Sequence, residues 1–169
     1  MKAYRYDSSK TLDGAHGAAI GLSLVEAETP RPGSGQVLMR VEANSLNFVD
    51  LISLSGAFPV DGLVPLLDGA GVVEAVGEGV TRWRAGDRVV ANPNLHWLAG
   101  EPAPDTSGAV LGITTNGMLA ETVIMPEDLK NVQEIFLTGT AAEIGPVSKI
   151  DEAVSLPIGP VTEHLKAAY

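Results

Sequence analysis

The sequence predicts a mainly β fold, a compact barrel or sandwich with short helices. Three observations predict it. Short β-prone runs recur along the chain between turn residues. The 169 residues include 19 Gly and 11 Pro to punctuate them. Helical periodicity is confined to brief stretches. Hydrophobic residues make up 45% and charged residues only 19%, a balance that fills a core and argues against disorder.

The elements follow in order. Gln36–Glu42 (QVLMRVE) is apolar and partly alternating, and follows the turn sequence PRPGSG, so it reads as a strand. Residues 47–54 carry a weak helical period in which Phe48, Leu51, Ile52 and Leu54 can share one apolar face. Gly71–Val76 (GVVEAV) is an apolar run between glycines, and Asp87–Ala91 (DRVVA) follows the turn Arg84-Ala85-Gly86. Asn92–Gly108 holds Pro93, Pro102, Pro104 and Gly100 and reads as a long surface loop. Met118–Met125 is a further strand ending at Pro126. Beyond it, Glu134–Leu137 and Ile144–Ile150 read as strands, the second interrupted by Pro146. Pro160 then suits a first helical turn, and Val161, Leu165 and Tyr169 recur every four residues, which predicts a C-terminal amphipathic helix.

Composition narrows the function. Eleven Lys and Arg stand against 21 Asp and Glu, a net charge of −10 that phosphate backbones repel, so no nucleic-acid partner is expected. With no Cys, thiolate zinc sites, iron–sulfur clusters, Cys nucleophiles and disulfides are excluded. His16, His96 and His164 are too widely separated to form a metal pair. No signal-peptide run and no membrane-length apolar stretch occur, so a cytoplasmic protein without a membrane partner is expected. Trp83 and Trp97 are expected to be packing residues.

The run PLLDGAGVVEAVGEGVTRWRAGDRVV (65–90) resembles the medium-chain dehydrogenase/reductase superfamily, in particular its zinc-independent, quinone-oxidoreductase-like branch. NSLNFVDLISLSGAFP (44–59) and GMLAETVIMPEDL (117–129) support the resemblance, which covers about residues 1–130. It implies a GroES-like, partly open β-barrel acting as a catalytic domain. Zinc-dependent members of that superfamily place a Cys in the segment matching Asn47 and a His in the segment matching Asp68. Neither is present here, so the resemblance implies NADPH and no zinc. Asn47 and Asp50 fall in the segment that lines the family's active-site cleft. They are candidates for hydrogen bonding to a substrate carbonyl or to the nicotinamide, or else Asn47 simply caps the helix. Asp68 is a third cleft-facing candidate, or a turn residue accepting backbone N–H groups. Gly69, Gly71, Gly77 and Gly79 are turn and close-approach residues. Gly77-Glu78-Gly79 has no third Gly at 82, so it is no dinucleotide fingerprint. The 40 residues after Leu129 are too few for two βαβ units of roughly 30 residues each, so no Rossmann domain is expected.

The tail points elsewhere. EIFLTGTAAEIGPVSKID (134–151) and GPVTEHLKAAY (159–169) resemble the C-terminus of branched-chain aminotransferases, which are pyridoxal-phosphate enzymes. The resemblance implies an anion-binding role for Thr140, Ala141 and Ala142, weighed against a plain turn between two strands. No lysine stands in a Schiff-base motif. The chain thus reads as two parts, 1–130 and 131–169, a chimera joined near Lys130, with the tail packed onto the first part. In the expected arrangement the tail's strands occupy an exposed sheet edge and its helix covers an open apolar face; homodimerisation through that edge is the rival.

By itself the chain is expected to be a non-catalytic folded module or scaffold, with no identified catalytic residue and no cofactor. The alternatives are an NADPH-dependent oxidoreductase acting on quinones or small carbonyl compounds with a partner chain, and a remnant pyridoxal-phosphate-binding transaminase fragment.

Overall fold

A computed structural model describes residues 1–14, 17–97, 108–127, 130–131, 136–139, 143–146, 149–150 and 154–155. The chain divides into two compact units, Met1–Lys130 and Asn131–Tyr169.

The first unit opens with an antiparallel hairpin of β1 (Lys2–Gly14) and β2 (Gly17–Glu26). The sequence reading assigned no strands here. β1 is a nearly unbroken polar and exposed run from Asp7 to Asp13, and the hairpin buries few apolar residues, Ala3 and Tyr6 among them, so hydrophobic patterning has little to detect. The register shifts between Asp7 and Thr11, a β-bulge. Asp7 secures it by accepting hydrogen bonds from the hydroxyls of Ser9 and Ser23, which hold its carboxyl below the usual range.

The core sheet contains β3 (Gln36–Ser45), β4 (Asp68–Val76), β5 (Arg88–Val90), β6 (Thr122–Pro126) and β7 (Lys130–Asn131), in the order β6-β3-β4-β5-β7. Its pairs β3–β4, β3–β6 and β4–β5 are antiparallel. Each expected strand exists with adjusted ends. β3 and β4 run longer than expected. The Met118–Met125 strand begins only at Thr122, because Met118 and Leu119 instead bond the Pro65–Leu66 backbone. Val37, Met39, Val73, Val89, Met118 and Met125 form the centre of the core. Trp83 packs against it, as expected of a packing residue, and its indole N–H donates to the Glu127 carbonyl. Trp97, by contrast, is exposed. Among the described residues the strands do not close into a barrel; the fold is mainly β and partly open.

Two register shifts interrupt the β3–β4 ladder, one between Val41 and Ala43. Opposite it, a Cβ on Gly71 would lie 2.0 Å from the Arg40 carbonyl oxygen, so this close approach requires glycine.

The helix α1 (Phe48–Leu54) lies in the β3–β4 connection, where helical period was read. Phe48 and Leu51 are exposed, and the buried residues are Asp50 and Ser53. Of the apolar stripe, Phe48 and Leu51 face away from the core, while Ile52 and Leu54 are partly buried.

In the second unit, β8 (Phe136–Gly139) and β9 (Glu143–Pro146) form one antiparallel hairpin, and β10 (Lys149–Ile150) pairs with β11 (Val154–Ser155). The expected 144–150 strand is thus two strands, the first ending at Pro146, which cannot donate to a ladder. The expected helix at 160–169, His16, His164 and Thr140–Ala142 lie outside the described residues. Much of the expected sheet-edge and face-covering role of the tail falls there too.

Candidate functional site

Backbone pairing assembles the site. In the β3–β4 register Ser45 stands opposite Asp68. The chain leaving β3 therefore passes Asp68 as it turns into α1. Asn47 sits at the N-cap with extended backbone, φ −120° and ψ 157°. Its side-chain Nδ2 donates to Asp68 Oδ2 at 2.9 Å. Its backbone N–H donates to Asp50 Oδ2 at 2.7 Å, and the Asp50 N–H donates back to the Asn47 carbonyl at 3.0 Å.

The structure thus brings Asn47, Asp50 and Asp68 together; it bears out one structural reading and corrects another. Asn47 does cap the helix, in a capping box with Asp50, and its amide nitrogen is at the same time given to Asp68. Asp68 is the first residue of β4 rather than a turn residue, and its carboxylate accepts from a side chain.

The two carboxyls differ in environment. Asp50 is 4% exposed. Burial raises its proton affinity, the Asn47 N–H opposes that, and the charge of Asp68 adds to it. Sequence reasoning missed two polar neighbours of Asp50. Ser53, one turn along α1, is fully buried, and Tyr6 of β1 is 2% exposed. Burial also raises the Tyr6 phenol; the Ser53 hydroxyl beside it acts in the opposite direction, and the charge of Asp50 adds to the rise. Their signal in the sequence was faint, since a Ser inside an apolar helical pattern reads as a surface residue.

Around the polar pair the surface is apolar. Leu46 is 82% exposed, Phe48 77% and Leu51 56%. These side chains flank Asn47 in sequence on either side. An open groove of about 400 Å³ is lined by Lys2, Tyr4, Leu24, Val41, Asn44 and Glu121 among others, and by none of Asn47, Asp50 or Asp68. His96 is exposed, in the loop where it was read as a surface residue.

The donor set bears on metal and cofactor. The two positions that the resemblance equates with zinc ligands hold an amide and a carboxylate, and the amide nitrogen faces the carboxylate. An amide offers a metal only its carbonyl oxygen in place of a thiolate, and among the described residues no group of three or more His, Cys, Asp or Glu is placed to hold a metal ion. The glycines do not fit a dinucleotide cradle either. Gly69 and Gly71 lie inside β4, Gly77 and Gly79 in the turn after it, and none opens a helix. Among the described residues no helix is long and apolar enough to cross a membrane.

Comparisons with known proteins bear on the fold and the family. The family model described as alcohol dehydrogenase GroES-like domain matches residues 33–134, extending past the suggested junction at 130. A quinone oxidoreductase of Pseudomonas aeruginosa is 35% identical over 150 residues, covering 78% of this chain and 45% of its own length. A zinc-type alcohol dehydrogenase-like protein of Schizosaccharomyces pombe is 36% identical over 105 residues, 60% of this chain and 30% of its own. Among solved structures, the cobalt- and zinc-bound thermostable alcohol dehydrogenase of Pyrobaculum aerophilum superposes with a TM-score of 0.61 at 32% identity, covering 80% of this chain and 42% of that one. The chain spans less than half the length of each of these relatives. The expected GroES-like fold is thereby supported; nothing in these comparisons shows an aminotransferase segment.

Proposed function

The chain belongs to the alcohol dehydrogenase GroES-like domain family, and from that premise we propose that it is the substrate-facing domain of a zinc-independent oxidoreductase acting on quinones or small carbonyl compounds. One observation carries the reading. The Asn47 amide is held by Asp68 through one N–H at 2.9 Å, at positions that do not suit zinc. An Asn amide has a second N–H. In this reading it donates to the substrate's carbonyl oxygen, and Asp68 fixes its direction. A preorganised donor of this kind stabilises negative charge developing on that oxygen. Leu46, Phe48 and Leu51 supply the apolar surroundings of a planar, weakly polar substrate.

NADPH is the cofactor the family suggests, and the described residues offer no cradle for it. The proposed role is therefore one wall of a site, with the dinucleotide held by further chain or by a partner chain. Alone, the described domain is a folded, non-catalytic module. For the tail, an aminotransferase origin draws no support from the relatives above, and no anion site is proposed at Thr140, Ala141 or Ala142.

The test is a titration of ¹⁵N-labelled protein with tetramethyl-1,4-benzoquinone, followed at the Asn47 side-chain amide. The reading expects a saturable shift of that resonance pair and weaker binding in Asn47→Ala. Unchanged affinity in Asn47→Ala would defeat the assignment.

A further inference from the structure

The buried face of α1 carries a second arrangement, independent of any activity. Asp50 and Ser53 stand three residues apart and so project from the same side of the helix. Both are buried, at 4% and 0% exposure. Asp50 Oδ2 accepts the Asn47 N–H. Asp50 Oδ1 and Ser53 Oγ, each enclosed, have no hydrogen-bond partner in the protein. Tyr6 reaches the same place from β1, its phenol influenced by both the Ser53 hydroxyl and the Asp50 charge. The two hydroxyls are neighbours. Orphaned polar atoms are rare in folded interiors, and two on one short helix call for a shared partner.

We propose that one internal water molecule bridges Asp50 Oδ1, Ser53 Oγ and the Tyr6 hydroxyl. Three bonds are typical of an internal water. The donors and acceptors balance: the water donates one hydrogen to Asp50 Oδ1 and the other to one hydroxyl, and it accepts from the second hydroxyl. Ser53 and Tyr6 then act as positioning residues. Through the water they anchor Asp50, whose other oxygen holds the backbone of Asn47 and so the amide facing Asp68.

Ser53→Ala tests the first requirement, that the Ser53 hydroxyl is bonded at all. If the Ser53 hydroxyl has no partner, a methyl group in its place leaves the melting midpoint unchanged or raises it. If it holds a water, the variant should melt lower, by about 3–6 °C, and the Asn47 side-chain amide resonance should move at temperatures where the protein is folded. A midpoint at or above wild type would overturn the proposal. Because a lower midpoint would also follow from a direct Ser53–Tyr6 bond, a high-resolution crystal structure of the wild-type chain decides: ordered density between the three oxygens supports the water, and continuous contact without density contradicts it.

Discussion

Replacing Gly71 by Ala should weaken the protein severely, and the structure gives the size of the effect. The new Cβ would lie 2.0 Å from the Arg40 carbonyl oxygen, 2.9 Å from its carbon and 3.1 Å from Val41 Cα. All three are backbone atoms of β3, so no side chain can rotate away. Ordinary contact begins at 3.4 Å, and 3.4 − 2.0 leaves 1.4 Å to be found by parting the strands. Ladder bonds near 2.9 Å do not survive that displacement. Losing two or three of them at about 1 kcal/mol each, with overpacking of about 1–3 kcal/mol, totals about 3–6 kcal/mol. That is a large part of a typical stability of about 5–15 kcal/mol. With a urea slope of about 1–3 kcal/mol/M, the unfolding midpoint should fall by about 2 M. Gly35→Ala is the control. Gly35 has φ +67° but nothing within 4 Å of its Cβ position, so only conformational strain of about 1 kcal/mol applies. A Gly71→Ala shift no larger than that of Gly35→Ala would refute the close approach of β3 and β4.

Three further outcomes are expected. Asn47→Ala removes a half-buried, charge-assisted hydrogen bond to Asp68 and should cost about 1–2 kcal/mol in urea unfolding. Asp50 has a raised proton affinity from burial, so its stabilising contribution is complete below its unfolded value of about 3.8 and is lost as pH rises through the folded value. Asp50→Asn cannot titrate, so its melting midpoint relative to wild type should climb from pH 4 to pH 7, and a difference that falls would contradict the burial. The double substitution Phe48→Ser and Leu51→Ser should change stability by no more than about 0.5 kcal/mol per site, because both side chains are exposed; circular-dichroism melts check this.

The sheet was legible where strands bury apolar residues. Gln36–Glu42 and Gly71–Val76 announced β3 and β4 because Val37, Met39 and Val73 lie in the core. The β1–β2 hairpin was not legible, since it is bonded mainly to itself and its stretch around Asp7–Asp13 is largely polar and exposed. In α1, period identified the helix but did not say which face is buried: Phe48 and Leu51 are exposed, while Asp50 and Ser53 occupy the interior. Apolar patterning finds the face that seeks cover, and cannot say that the cover is absent from this unit. Asn47, Asp50 and Asp68 could be named from the resemblance, but their mutual bonds could not. The Asn47–Asp68 contact spans 21 residues and depends on the Ser45–Asp68 register, which only the paired strands reveal.

The central claim is that this chain supplies the substrate wall and not the dinucleotide cradle. Its most direct test is fluorescence titration of the purified 169-residue chain with NADPH, with NADPH oxidation followed in the presence of tetramethyl-1,4-benzoquinone. The account predicts no saturable NADPH binding up to about 1 mM, a range corresponding to roughly −4 kcal/mol, and no oxidation above the uncatalysed rate. Micromolar NADPH binding with quinone-dependent turnover by this chain alone would contradict it.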